Sequence, residues 1–155
     1  MRRFQLLLII FAFLGIPGAV LCQSQPTQPA PSASSVFQRS YLLDIPATSD
    51  WGYATIIVPS GKSLTLQFVS VWGQAGVGTK ASVSISATVA SQQSTFYIPI
   101  TIQNTSDGLD SLVAAQPVQI IADGDTTVYL QVFKAHGTSA AKLSVSVSGQ
   151  LQPML

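Results

Sequence analysis

Ser82-Val83-Ser84-Ile85-Ser86-Ala87-Thr88-Val89 alternates a hydroxyl side chain with an apolar one at every step. A period of two sends successive side chains to opposite faces of an extended chain, so this stretch predicts a strand with one face buried and one wet. The pattern recurs on both sides of it. Leu64, Leu66 and Phe68 alternate with Ser63, Thr65 and Gln67. Phe96, Ile98, Ile100 and Ile102 make another set, and Leu143, Val145 and Val147 alternate with Ser144, Ser146 and Ser148. β-Branched and aromatic residues hold the apolar positions, as a pleated, half-buried surface prefers. No apolar stripe of helical period and length appears after residue 22.

Extending this reading gives about eight strands, at 36–43, 53–58, 63–72, 81–90, 95–103, 111–121, 126–134 and 142–151. Pro59-Ser60-Gly61-Lys62, Ser91-Gln92-Gln93-Ser94 and Asp123-Gly124-Asp125 lie between them as turns. Links this short predict antiparallel, hydrogen-bonded neighbours. Pro99 has no N–H to donate, which places the fifth strand at a sheet edge or at a bulge. Pro117 interrupts the sixth. Eight short strands without helices favour an all-β antiparallel two-sheet sandwich, either jelly-roll or immunoglobulin-like. The predicted inward set is Tyr41, Leu43, Ile56, Val58, Leu64, Leu66, Phe68, Val83, Ile85, Ile98, Ile100, Ile120, Val128, Leu130, Val132, Leu143 and Val145. A chain of this size buries about two-thirds of its unfolded surface, enough for a core without a disulfide.

The N-terminus reads as an address. Arg2 and Arg3 precede an apolar run from Leu6 to Leu14, which Gly15, Pro17 and Gly18 then break. A spanning helix needs about 20 apolar residues, so the layout is that of a signal peptide over residues 1–22. Export to the outside or to the periplasm is the expectation, with no transmembrane segment after cleavage. Ala19-Val20-Leu21-Cys22 offers lipid anchoring at Cys22 as an alternative, disfavoured because Leu21 stands where a small residue is expected. Residues 23–35 are rich in Pro, Gln and Ser and read as an extended linker. The sandwich domain occupies 36–155.

Charge excludes several functions. The whole chain has 155 residues, seven cations, six anions and a formal net charge of +1. Past residue 22 there are five cations (Arg39, Lys62, Lys80, Lys134, Lys142) and six anions, all Asp, for a net charge of −1. Nucleic-acid binding needs clustered cations, which are missing. The single Cys can close no disulfide within the chain and builds no zinc site. Outward strand positions carry Ser, Thr and Gln in place of Lys and Glu, a surface suited to a neutral partner, either a protein or a glycan.

Candidate chemistry is sparse. Asp107, Asp110, Asp123 and Asp125 gather in two Asp-Gly loops and could supply oxygen ligands to calcium. Asp-Gly is also ordinary turn chemistry, which is the expectation here, so no cofactor is assigned. His136 stands alone beside no G-x-S-x-G elbow, so a hydrolase is the weakest reading. The Gly-rich stretch 73–78 lacks the Lys-Ser/Thr of a phosphate loop. Asn104-Thr105-Ser106 fits a glycosylation sequon and is read as chance. Trp51, Tyr53 and Trp72 fall at strand starts and ends. If exposed together they form a platform for a ligand such as a sugar; burial at one end of the core is the expectation, since Trp is highly buried on average.

The stretch Ile57-Val58-Pro59-Ser60-Gly61-Lys62-Ser63-Leu64-Thr65-Leu66-Gln67-Phe68-Val69-Ser70 resembles a strand-turn-strand pattern, and residues 143–151 resemble a closing strand. Both are similar to small secreted bacterial β-sandwich proteins of uncharacterised role. The resemblance implies fold and export and carries no active site. The function expected is therefore a non-enzymatic structural or interaction role, with a ligand-binding module through Trp51, Tyr53 and Trp72 as the alternative.

Overall fold

A computed structural model describes residues 33–135 and 139–154. They form nine strands: β1 (Ser35–Ile45), β2 (Trp51–Ile57), β3 (Lys62–Gly76), β4 (Lys80–Val89), β5 (Gln92–Pro99), β6 (Thr101–Ser106), β7 (Leu109–Ala122), β8 (Thr127–Ala135) and β9 (Ala141–Pro153). Five strands make one sheet in the order β1-β9-β3-β7-β6, and four make the other in the order β2-β8-β4-β5. All pairings are antiparallel.

The pairs β1·β9, β2·β8, β3·β7 and β4·β5 nest like the two arms of one long hairpin with its tip at Ala90-Ser91. Alternate pairs fall in opposite sheets. A ribbon rolled in this way is a jelly roll. An immunoglobulin-like order would set the first, second, fifth and fourth strands together in one sheet, and that is not found.

Rolling corrects the reading of the turns. Pro59–Lys62 and Asp123–Asp125 do not join hydrogen-bonded neighbours; each carries the chain from one sheet to the other. A short turn can bridge the roughly 10 Å between packed sheets as readily as the 4.8 Å between paired strands, so length alone did not distinguish the two. The hairpin expected at Ser91–Ser94 turns two residues earlier. Ala90 and Ser91 both have positive φ (48° and 64°), as a two-residue hairpin turn requires.

The expected fifth strand is two. β5 ends at Pro99 on the edge of the four-stranded sheet, Ile100 crosses, and β6 begins at Thr101 on the edge of the five-stranded sheet. Pro117 lies in the part of β7 that extends beyond β6, where one side of the strand has no neighbour. Both prolines thus sit where the strand has a free side, the position in a sheet that tolerates a missing donor.

The core lies between the sheets and includes Ile45, Leu64, Leu66, Val83, Ile85, Ile98, Leu112, Ile120, Val128, Leu130 and Leu143. Phe68 departs from the predicted inward set, at 42% exposed. Against β9, Leu66 and Phe68 pair with the consecutive residues Gly149 and Ser148, so Gln67 is an extra, bulged residue there, whereas against β7 the extra residue falls on β7, where Val118 and Gln119 stand opposite Gln67. Beyond the bulge the faces exchange: Val69 and Val71 turn inward while Phe68 and Trp72 turn outward. Gly149 lies opposite the bulge, where a Cβ would overlap the Thr65 carbonyl and come 2.8 Å from Leu66 Cα.

Candidate functional site

The two sheets bury one face each and present the other outward. On the four-stranded sheet, burial of Ile56, Val83, Ile85, Leu130 and Val132 turns their neighbours out. Register sets these neighbours in rows across β2, β8, β4 and β5: Trp51-Phe133-Ser82-Pro99, then Tyr53-Gln131-Ser84-Tyr97, then Thr55-Tyr129-Ser86-Thr95. None of these twelve side chains is charged. Five of them are aromatic: Trp51 and Tyr53 are about half exposed, Tyr97 is 71% exposed, and Tyr129 and Phe133 about 40%. Ser84 and Ser86 face outward yet are only 1% and 6% exposed. Ser86 Oγ shares a 2.9 Å hydrogen bond with Thr95 Oγ1 in its own row. The result is an uncharged, ring-covered plane where an antiparallel sheet ordinarily shows polar residues to water.

Trp51, Tyr53 and Trp72 are all exposed, against the expectation of burial. They do not form one platform. Trp51 and Tyr53 stack on each other at 5.5 Å with 23° between their planes. Trp72, 62% exposed, projects from the outer face of the other sheet. The stacked pair uses the facing surfaces of both rings on each other, which leaves no gap there for a sugar ring.

The four loop aspartates are not brought together. Asp107 and Asp110 lie by the Gly76 end of β3, and Asp123 and Asp125 by its Lys62 end. Each holds a turn. Asp107 and Gly108 have positive φ (54° and 75°) in the β6–β7 hairpin, and Ser106 Oγ donates to Asp107. Asp110 is 2% exposed and accepts from Gly78 N at 2.8 Å and Thr105 Oγ1 at 2.6 Å. Asp123 accepts from Ala90 N at 2.7 Å, and Asp125 accepts from Ser60 Oγ at 2.9 Å. Among the described residues no group of three or more His, Cys, Asp or Glu side chains is placed to hold a metal.

Sequence reasoning passed over Lys134. It occupies the next inward position of β8 after Val128, Leu130 and Val132 and is 2% exposed. Its ammonium donates to Pro46 O at 3.2 Å and Ser139 O at 2.7 Å, joining the β1–β2 loop to the segment before β9. The period-two pattern of β8 was the available signal. Burial raises the pKa of the Tyr41 phenol, and Arg39 opposes that rise. Asn104 is exposed on β6, with the neighbouring Thr105 hydroxyl engaged by Asp110. His136, Cys22, the signal segment and most of the linker lie outside the described residues.

The sequence matches no protein-family model and no curated protein. Among solved structures, a chain of the virus-like particle of extra small virus from the giant freshwater prawn Macrobrachium rosenbergii is similar at 12% identity. The match covers 96% of this chain and 97% of that one with a TM-score of 0.36, a likeness too loose to bear on function.

Proposed function

We propose that the chain is an exported, non-enzymatic jelly roll with a structural role, built to associate with a second copy of itself through the outer face of its four-stranded sheet. The observation that carries this reading is the uncharged aromatic plane formed by Trp51, Tyr53, Tyr97, Tyr129 and Phe133. Aromatic enrichment with depletion of charge is the composition of an interface centre. A neutral face meets its own copy without like-charge repulsion, and two flat sheets pack naturally face to face.

Four strands about 4.8 Å apart and three rows about 6.7 Å apart give a footprint on the order of 400 Å². That is at the small end of protein interfaces, so the association is weak and follows mass action. Sedimentation velocity from about 10 μM to about 1 mM tests it. The weight-average mass rises with concentration in the wild type, and Tyr53→Lys abolishes the rise. A wild type that stays monomeric throughout contradicts the proposal.

A further inference from the structure

On the opposite face of the molecule the bulge at Gln67 does more than end a regular ladder. It rotates Phe68 out of the core and onto the outer surface of the five-stranded sheet, four residues before Trp72 on the same strand. Re-aiming a side chain beside a site is a recurrent use of bulges. Register places the row Ser40-Ser146-Ser70-Ala115 between them, all small side chains. On one side of that row stands Leu42-Ser144-Trp72-Val113, and on the other Gln38-Ser148-Phe68-Pro117. Phe68 and Trp72 are therefore about 13 Å apart along the strand, with a floor of hydroxyls between.

A groove of about 180 Å³ opens there, against Phe68 and Gln38 with Ser70, Ser146 and Ser148 at its base. Ser40 Oγ and Ser146 Oγ share a 2.7 Å hydrogen bond. Each hydroxyl has one proton and two lone pairs, so both keep capacity for a ligand. The nearest charges on this face, Asp44 and Lys142, lie two rows away and pair with each other at 3.4 Å.

We infer that this groove is a subsite for one ring of a neutral saccharide. A pyranose has an apolar C–H face and a rim of hydroxyls. Phe68 meets the first; Ser70, Ser146, Ser148 and the Gln38 amide meet the second. The volume suits a single ring, smaller than the pockets that enclose drug-sized ligands. Absence of charge on walls and floor selects a neutral sugar over a uronate, a sulfated sugar or a phosphate. Binding through one ring is weak, in the millimolar range. The site is independent of the homotypic face, which lies on the other sheet.

The test is a ¹H–¹⁵N NMR titration of the exported chain with three probes: neutral trisaccharides of glucose, of mannose and of N-acetylglucosamine. The inference expects saturable shifts at Ser70, Ser146 and Ser148 with at least one probe. Phe68→Ala weakens that binding about tenfold, the worth of one aromatic contact. Ser146→Ala, which removes the hydroxyl and adds no bulk to the groove, weakens it comparably and serves if Phe68→Ala folds poorly. No saturable shift with any probe up to about 30 mM overturns the inference. So do shifts confined to the Trp51 and Tyr53 face, which would move binding to the other sheet. Tyr53→Lys leaves the titration unchanged, so failure here and failure of the homotypic contact are read separately.

Discussion

Replacing Lys134 with Met tests how this chain tolerates a buried charge with no described carboxylate partner. The ammonium donates to two carbonyls, Pro46 O and Ser139 O. Met keeps most of the apolar stem, so the change isolates the charged end. Pro46 O retains a second donor, Ser49 N at 3.0 Å. Ser139 O has no other described donor, but Ser139 is exposed, so water can replace the ammonium there. The cost is then the lost charged hydrogen bond, about 1.5–3 kcal/mol net. Relief from burying the ammonium offsets part of this, as replacement of buried charges by apolar groups often shows. The expected loss is about 2 kcal/mol. For a domain of this size that is a fall in Tm of about 8 °C. Lys142→Met is the control: its pair with Asp44 is exposed at both ends (69% and 59%), so the cost is below about 0.5 kcal/mol. Urea unfolding followed by circular dichroism measures both. Equal midpoints for the two variants, or a Lys134→Met chain more stable than wild type, would refute the assignment of Lys134 as a clamp between the two loops.

Three further outcomes follow from the packing. Gly149→Ala drives a methyl into the Thr65 carbonyl and Leu66 backbone across the bulge and lowers stability by about 3 kcal/mol or more, read by urea unfolding. Ala90 holds a left-handed conformation at φ 48°; Ala90→Asn, which tolerates that region, raises stability by about 0.5–1 kcal/mol in the same assay. Asp110→Ala leaves Gly78 N and Thr105 Oγ1 without their acceptor and costs about 2–4 kcal/mol, whereas a calcium chelator leaves the wild-type Tm unmoved.

The strands were legible because each of them has to bury one face, and a period of two survives in any sequence that does so. Ser82–Val89 and the matching run at 143–148 stand where their alternation put them. The route between sheets was not legible. A turn such as Pro59–Lys62 has the same chemistry whether it pairs two strands or carries the chain over the core, and only the nested register of distant strands separates the two. Phe68 failed for a related reason. A bulge inserts one residue without a composition signal, and Gln67 reads as an ordinary outward residue until the register of β3 against β9 is known. Pro99 worked in the opposite direction: its missing donor predicted an edge or a bulge, β5 is an edge strand, and the chain changes sheets immediately after it. The aromatic plane draws its five rings from β2, β5 and β8, so no local window of sequence contains it. Trp51, Tyr53 and Trp72 were singled out together, but Trp72 lies on the other sheet, and Tyr97, Tyr129 and Phe133 join the first two only through strand order.

The homotypic contact is tested most directly by the concentration dependence of backbone amide shifts in the wild-type chain. Between about 20 μM and about 1 mM, amides of β2, β8 and β5 around Trp51, Tyr53, Tyr97, Tyr129 and Phe133 should move together along one binding curve, while those around Phe68 and Trp72 stay fixed. Shifts that are absent, or that appear on the five-stranded sheet instead, would contradict the assignment of the contact face.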